Sequence, residues 1–488
     1  MSHLDALMTA EAVESGRGQR TSLLCHRRLT GEPLVLVLWQ LGAEPFSAAA
    51  IGWGTSEGDF HSTVAGDPRN RTLSFAALLQ LAQDFDVWFE APSKCRETIT
   101  RGKRDVEVAA TAPQVVVANA ATLALLGRLG RRLAYLPTDG DDPADPALVR
   151  LGRHLQFLHN HAHVPGQQLV VLMTELMTGN WATGQSNVER QSLNALDAYI
   201  DPPEGMRGFD AAAIAEELPV GPLPRGEDDE KLEPLVGKFN DVRGKETSPV
   251  VVGPLLGLIA AHYAPLLRRA WEVVWRCFRR EAAFEEAPSC ARRWFEDRRA
   301  YSSHMDWVEL TGGRRRTRKT ARQAVRFLHD LESAQERLVS EEALDDPLRM
   351  IPYLLDGKAI RGTVLHVDRD YMELATKRNV RRPLVALACD EPCRMPVGKT
   401  LFWTGDPSGP EWRIHAVQSA SDGSTVTVKL MTSSPHPMPP PGETACFSIL
   451  NTKAPYWRLM PQEDPWTHRT EEEQPGSEHL EDRGSGTP

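Results

Sequence analysis

Hydrophobic and polar residues follow three successive patterns along this chain, each typical of a different kind of secondary structure. Short apolar runs come first, at Leu34 to Leu41, Phe46 to Trp53 and Phe60 to Val64, each bounded by Gly, Pro or Asp. Runs of this length with such boundaries predict three consecutive β-strands. Apolar residues at helical spacing dominate the middle of the chain, and period-two alternation returns after residue 347.

The first 200 residues combine strands with helices. The pattern predicts a helix over Ser74 to Gln83, a short strand at Val87 to Phe89 and a buried strand at Gln114 to Ala118. Asn119 follows that strand and predicts the start of a helix, because its side chain can accept a hydrogen bond from the first turn. Strands followed by alternating helices and strands indicate a mixed α/β sheet domain over residues 1–200, with trailing helices.

The middle of the chain separates into two parts. Residues 201–250 gather Pro, Gly and charge without sustained periodicity, so we expect a linker or an irregular excursion there. Residues 251–346 carry two long helical patterns separated by Gly312 and Gly313, which predicts a helical hairpin domain. The second helix is expected from about Arg315 to Ala343.

The last part of the chain is predicted to form a small antiparallel β-barrel over residues 347–460. Beyond it, residues 461–488 are acidic and lack apolar spacing, which is typical of a disordered tail. The expected fold class is therefore multi-domain α+β. The barrel strands are predicted at Ile360 to Val367, Leu384 to Cys389, Lys399 to Thr404, Trp412 to Val417, Thr425 to Met431 and Ala445 to Leu450.

Composition adds limits on class and compartment. The 488 residues are 41% hydrophobic and 25% charged, which is typical of a globular protein of several domains. Seven cysteines are scattered without paired spacing, so we expect no disulfide framework. The run Leu34 to Leu41 is too short to cross a bilayer, and the first residues lack the pattern of a signal peptide. We therefore expect a cytoplasmic protein without a membrane partner.

Charge is unevenly distributed. The net charge is −10, yet residues 264–330 carry sixteen Arg and Lys against nine Asp and Glu. A helix starting near Arg315 would place several cations of this segment on one face, and closely spaced cations suit a DNA or RNA backbone. The alternatives are a solvated face or pairing with acidic surface elsewhere. The predicted nucleic-acid-binding residues are Arg314, Arg315, Arg316, Arg318, Lys319, Arg322 and Arg326.

The segment RHLQFLHNHAHVPG invites a metal interpretation. On a strand, His159, His161 and His163 would share a face and could bind zinc, whereas on a helix they would diverge. The preceding pattern is helical, so a helix end with surface histidines is favoured. We expect no metal and no cofactor, and these three histidines remain the alternative metal ligands.

The order of elements in the first 200 residues is similar to that of the ribonuclease H-like exonucleases. Val115 to Leu126 (VVVANAATLALL) resembles that family's strand, asparagine and helix segment. The resemblance implies carboxylates that hold two metal ions for phosphodiester hydrolysis. Here Trp39, Gln40 and Leu41 stand on the first strand where acids are expected, and Leu123 stands near another such position. The resemblance therefore implies a degenerate, inactive site.

The helical hairpin followed by a small barrel also resembles, in shape only, accessory regions with which some superfamily-one helicases hold single strands. No motor motif accompanies it. The favoured function is a noncatalytic accessory or adaptor protein of a nucleic-acid-processing system, such as DNA repair or anti-phage defence, with a separate helicase or nuclease as partner. The alternatives are a metal-dependent nuclease or hydrolase that uses the histidine cluster, and a purely protein-binding scaffold.

Overall fold

The structure, a computed structural model, describes residues 3–452 apart from 43, 45, 102–103, 140–142, 245–248, 314–319, 376–377, 408 and 421–422. In this part of the chain the α-helices are α1 His3–Ser15, α2 Arg71–Glu90, α3 Ala120–Ala134, α4 Pro146–His161, α5 Met173–Asn180, α6 Leu193–Ile200, α7 Gly208–Glu216, α8 Gly226–Arg243, α9 Pro249–Ala282, α10 Cys290–Thr311, α11 Ala321–Asp345 and α12 Pro347–Leu355. The strands are β1 Gln19–Arg20, β2 Leu34–Trp39, β3 Ala50–Gly54, β4 His61–Val64, β5 Arg96–Arg101, β6 Arg104–Ala109, β7 Val115–Val117, β8 Val170–Leu172, β9 Trp181–Ala182, β10 Ala359–Asp368, β11 Met372–Ala375, β12 Arg378–Arg381, β13 Leu384–Cys389, β14 Thr400–Trp403, β15 Trp412–Ala420, β16 Gly423–Leu430 and β17 Thr444–Ser448.

A mixed five-stranded sheet in the order β4-β3-β2-β7-β8 organises the N-terminal part of the molecule. Strands β3 and β4 continue it antiparallel on one side of β2, and β7 and β8 run parallel to β2 on the other. All six residues of β2 are buried. A continuous apolar run of this kind is typical of a central strand that is covered on both faces. The carboxyl ends of β2, β7 and β8 therefore meet at one edge of the sheet.

Helices cover both faces of this sheet. Successive side chains of a strand point to opposite faces, so Leu34, Leu36 and Leu38 enter one core while Val35 and Val37 enter the other. The first core is completed by α2, α3, α4 and α10, and the second by α5, α6, α8 and α9. The long helices α9 and α10 thus pack on opposite faces of one sheet.

This arrangement differs from two sequence predictions. The predicted hairpin joins a first helix, ending before Gly312 and Gly313, to a second helix from about Arg315. In the structure two helices, α9 and α10, precede Gly312, and both contribute to the cores of the N-terminal sheet. The range 201–250, predicted as a linker or irregular excursion, contains α7 and α8, and Leu232, Val236 and Phe239 of α8 are buried against the sheet. Their apolar spacing was hidden in the sequence because charged residues and Pro234 surround them.

Two local predictions are also corrected, and one is confirmed. The predicted strand at Val87 to Phe89 is the last turn of α2, and β8 lies among the helices predicted to end the domain of residues 1–200. An apolar run as short as Leu169 to Met173 fits either structure, and its position beside β7 makes it a strand. Asn119 caps α3 as predicted, since its side chain accepts from the amide of Thr122 at 2.9 Å.

The C-terminal part is a closed antiparallel barrel in the order β10-β13-β16-β15-β14-β17, and each of its six strands lies on one of the predicted runs. Trp412 and Phe447 are fully buried at its centre, with ring centroids 5.2 Å apart. The barrel has a core of its own. A small apolar cluster that includes Leu344 and Met350 joins it to α11 and α12.

Helix α11 begins at Ala321. The Thr320 hydroxyl accepts from the backbone amide of Gln323, and the Gln323 side chain accepts from the amide of Thr320. This reciprocal capping fixes the helix start. The predicted helix start at Arg315 lies outside the described residues.

Helix α9 has two dissimilar halves. Val250 and Leu258 in the first half are 83% and 52% exposed, whereas Ile259, Tyr263 and Trp271 are buried in the core. Within the described residues, the segment Val250–Ala282 is the one helix long and apolar enough to cross a membrane by length and composition. The core helix of a globular protein can have the same length and composition.

Candidate functional site

The edge where β2, β7 and β8 end is the usual place for a ligand site in such a sheet. Gln40 directly follows β2, Asn119 lies two residues after β7, and Thr174 lies two residues after β8. All three side chains are buried. Neutral amides and a hydroxyl thus stand at the strand ends.

A loop between α7 and α8 covers this edge. The side-chain amide of Asn119 donates to the carbonyl oxygen of Gly221 at 3.0 Å, and the backbone amide of Gln40 donates to that of Pro222 at 2.8 Å. Gly221 has a φ of 86°, and a Cβ there would lie 2.4 Å from the carbonyl oxygen of Leu38. The loop therefore sits against the strand end at a distance that only glycine permits.

The two-metal chemistry that the resemblance implies does not fit this edge. Magnesium and related ions prefer carboxylate oxygens, and the strand ends offer amides and a hydroxyl instead. Asp229 of α8 approaches the end of β2, but its Oδ2 accepts from the amide of Gly42 at 2.9 Å. Among the described residues, no group of three or more metal-ligating side chains includes a residue of this edge.

A different cluster joins α2 to α4 within the first core. Asp86 and Glu90 are four residues apart on α2, so they share a helix face, and His154 of α4 lies against that face. One ligand atom from each of the three side chains lies within 4.8 Å of the others. His154 is fully buried, and both carboxylates are partly buried. We call these three residues the carboxylate–histidine cluster.

Aromatic rings and a second histidine surround His154. Its Nδ1 lies 3.0 Å from Nε2 of His304, which is also buried. The ring of Phe89 lies 4.3 Å from that of His154, and the ring of Phe157 stacks on His304 at 4.2 Å. The two imidazoles are thus held in fixed orientations in a largely apolar environment.

The protonation states of the cluster follow from this environment. Burial lowers the pKa of His154 because the charged imidazolium is poorly solvated there, and Asp86 offsets this only in part. Burial alone would raise the pKa of Asp86, but His154 and Arg150 together outweigh it, so this pKa is lowered. Arg150 donates from Nε to Oδ2 of Asp86 at 2.6 Å. Near neutral pH a neutral imidazole therefore faces an ionised carboxylate.

A cavity of about 570 Å³ adjoins the carboxylate–histidine cluster. Its volume lies in the range of small-molecule sites. Glu90 of the cluster lines it, together with Arg150, Arg153, Met305 and Glu309. The cluster is thus in contact with a space that a small polar molecule can enter.

Most of the predicted nucleic-acid-binding residues lie outside the described part of the chain. These are Arg314, Arg315, Arg316, Arg318 and Lys319. Arg322 and Arg326 lie on the first two turns of α11 and are exposed. These two residues are four apart on α11 and so lie on the same side of the helix.

Other arginines of the positive segment pair with acids from elsewhere in the chain. Asp197 contacts Arg276 at 2.7 Å and also binds Arg280, while Glu341 forms a bidentate pair with Arg292 at 2.5 and 2.8 Å. Much of the positive excess of residues 264–330 is therefore compensated within the fold. The further pairs with acids outside the segment are Arg279 with Glu57, Arg293 with Glu341 and Arg298 with Glu97, while Arg299 pairs with Glu296 within the segment.

The histidines predicted as alternative metal ligands are not brought together. His161, in the last turn of α4, contacts Oδ1 of Asp297 at 2.6 Å, whereas the rings of His159 and His163 contact each other. The preceding helix is confirmed, but His154 is not on the surface as predicted. His154 is buried because the face of α4 that carries it packs against α2 and α10.

Sequence reasoning missed Asp86 and Glu90. Their spacing of four on an amphipathic helix was visible, but such acid pairs are common on exposed helix faces. What distinguishes this pair is its contact with His154, which follows Glu90 by 64 residues. This contact forms only when α4 packs on α2.

Comparison of the chain with family models, with curated proteins and with solved structures finds no match.

Proposed function

We propose that this chain is a noncatalytic accessory protein of a nucleic-acid-processing system, built on a ribonuclease H-like sheet. The order β4-β3-β2-β7-β8, with antiparallel strands on one side of β2 and parallel strands on the other, supports that sheet type. The observation that carries the proposal is the loop bonded over the strand ends, where the backbone amide of Gln40 donates to Pro222 and the side-chain amide of Asn119 donates to Gly221. The fold is then used for binding.

The nucleic-acid contact in this proposal lies on the basic run from Arg314 to Arg326. Because arginines such as Arg276 and Arg292 are paired within the fold, they are poorly suited to release phosphate counterions. The basic run has seven Arg and Lys within thirteen residues, and for this density of positive charge we assign the DNA or RNA backbone to it. A protein that binds the polymer without cleaving it would act through a separate helicase or nuclease.

Fluorescence anisotropy with labelled single-stranded and duplex DNA and RNA tests the binding, using the full chain over a range of salt concentrations. Replacing Arg315, Lys319, Arg322 and Arg326 by Glu should weaken binding by at least about a hundredfold at low salt. The slope of log K against log salt should also become shallower by about 3, since each lost phosphate contact removes about 0.7 to 0.9.

A charge-matched control separates a local site from general attraction. Four exposed cations elsewhere, Lys94, Arg131, Lys231 and Lys238, are replaced by Glu in a second variant, which should retain most of the affinity. Equal losses in both variants, or no binding by the unaltered chain at low salt, would overturn the assignment. Cleavage of any of these polymers in the presence of Mg²⁺ or Mn²⁺ would overturn the noncatalytic part.

A purely protein-binding scaffold is the second candidate, and the exposed first half of α9 favours it. Val250 and Leu258 are apolar and largely solvent-exposed, which is typical of a surface that another protein covers. This candidate predicts no nucleic-acid binding by the unaltered chain, so the same anisotropy series distinguishes the two.

A further inference from the structure

Two buried polar atoms of the carboxylate–histidine cluster face each other without a hydrogen bond. Among the described residues, neither Nε2 of His154 nor Oδ1 of Asp86 has a hydrogen-bond partner. The two atoms are 3.8 Å apart, beyond hydrogen-bond distance. A buried polar atom without a hydrogen-bond partner destabilises the folded state, so a facing pair of them calls for an explanation.

The other nitrogen of His154 identifies what would satisfy them. Nδ1 lies 3.0 Å from Nε2 of His304, so a proton on Nδ1 leaves a lone pair on Nε2 that points toward Asp86. An imidazole with one nitrogen held by a neighbour and the other directed at a carboxylate has the arrangement of a metal-ligating histidine. A cation can be bound at the same time by the lone pair on Nε2 of His154 and by the carboxylate oxygen of Asp86.

We propose that Asp86, Glu90 and His154 bind a divalent transition-metal ion, with Zn²⁺ as the first choice. Ligands at about 2.0–2.2 Å from zinc are separated by up to about 4 Å, and the 3.8 Å between His154 and Asp86 fits this span. Glu90 lies within 4.8 Å of both and is only partly buried, so a small rotation of its side chain brings it into range. This proposal does not rest on the nucleic-acid function.

The donor set favours zinc over magnesium or calcium. Imidazole nitrogen suits transition metals, whereas Mg²⁺ and Ca²⁺ prefer sites made of oxygen. Two carboxylates neutralise a divalent ion, and Arg150 occupies Oδ2 of Asp86, which leaves Oδ1 for the metal. Three protein ligands leave a further position for water or a small anion, and the adjoining cavity lined by Glu90 and Arg150 provides access.

The test uses the full chain, stripped with a chelator and dialysed, with its affinity tag removed. Calorimetric titration with Zn²⁺ should show one site per chain, and Co²⁺ substitution should give the visible absorption of a low-coordinate ion. Glu90→Gln should weaken Zn²⁺ binding by at least about tenfold and alter the Co²⁺ spectrum. This residue is partly exposed, so the variant is expected to fold.

Glu309→Gln is the matched control because Glu309 lines the same cavity but lies outside the cluster. It should bind Zn²⁺ as the unaltered chain does. His154→Asn, checked for folding by circular dichroism, should abolish the site. Absence of stoichiometric binding by the unaltered chain, or equal affinities for the Glu90 and Glu309 variants, would refute the proposal.

Discussion

Gly221 adopts a left-handed backbone conformation, and a Cβ at this position would lie only 2.4 Å from the carbonyl oxygen of Leu38. Gly221→Ala should therefore destabilise the protein by about 1–3 kcal/mol through strain and should displace the loop from Asn119. Urea unfolding measures the change. Gly237→Ala, in the interior of α8 with open space around it, should instead stabilise by about 0.5–1 kcal/mol. A loss at both positions would argue against the described loop.

A second residue-scale feature is the carboxylate of Asp346, which is fully buried between α11 and α12. Its Oδ2 accepts from the Ser22 hydroxyl at 2.6 Å and from the amide of Leu23 at 2.6 Å, and Nε2 of His26 lies 3.4 Å away. Burial acts to raise the pKa of Asp346, but His26, the Ser22 hydroxyl and the backbone amides of Leu348 and Leu24 outweigh it and hold the pKa well below its ordinary value.

The lowered pKa fixes the sign of a pH dependence. A carboxyl whose pKa is lower in the folded state contributes stability above its unfolded pKa of about 4, and that contribution is lost as the pH falls further. Asp346→Asn should cost about 3 kcal/mol or more at pH 7, and its deficit relative to the unaltered chain should shrink below pH 4. Urea titrations from pH 3 to 7 would show this, and a deficit independent of pH would contradict it.

At the scale of elements, α9 provides adjacent residues in opposite environments. Leu258 is half exposed, and Ile259 is fully buried. Ile259→Ala should therefore cost about 2–4 kcal/mol, while Leu258→Ala should cost less than about 1 kcal/mol. Chemical unfolding of both variants tests this contrast. Similar losses would mean that the first half of the helix is covered in the free chain.

The elements that could be predicted from the sequence are those whose burial follows a simple period. Strands β10, β13 and β16 of the barrel largely alternate between buried and more exposed residues, so they are visible in the sequence as period-two spacing. Strand β8 is buried on both faces and has no alternation, and α8 has few apolar residues among many charges. For these two, tertiary packing decides the structure.

The candidate site was predictable only in part, for a similar reason. The sequence draws attention to Gln40, at the end of the first strand, because the resemblance to the ribonuclease H-like exonucleases implies an acidic residue near that position. The carboxylate–histidine cluster depends on the contact of α2 with α4, and the covering loop depends on Gly221 reaching Leu38. Neither long-range contact leaves a local signal.

At the scale of the whole molecule, the barrel core and the two sheet cores share no residue. Phe447→Ala, at the centre of the barrel, should cost about 3–5 kcal/mol there and leave the sheet largely unaffected. Hydrogen exchange should rise in the barrel strands and stay unchanged in β2 and β7. Val116→Ala should give the reverse pattern, and equal increases in both regions would contradict separate folding units.

Because α9 and α10 pack against opposite sides of the same five strands, a fragment that ends after residue 200 would keep every strand yet strip one long helix from each side. The first core would lose Trp294, Tyr301 and Met305 of α10, and the second would lose α9, which contacts β2 directly, so apolar surface of both cores would face water. Expression of residues 1–200 alone should give aggregated material, whereas a chain that continues through α10 retains both covers. The smallest stable unit around the sheet therefore extends through α10, which begins at Cys290, ninety residues after the end of this fragment.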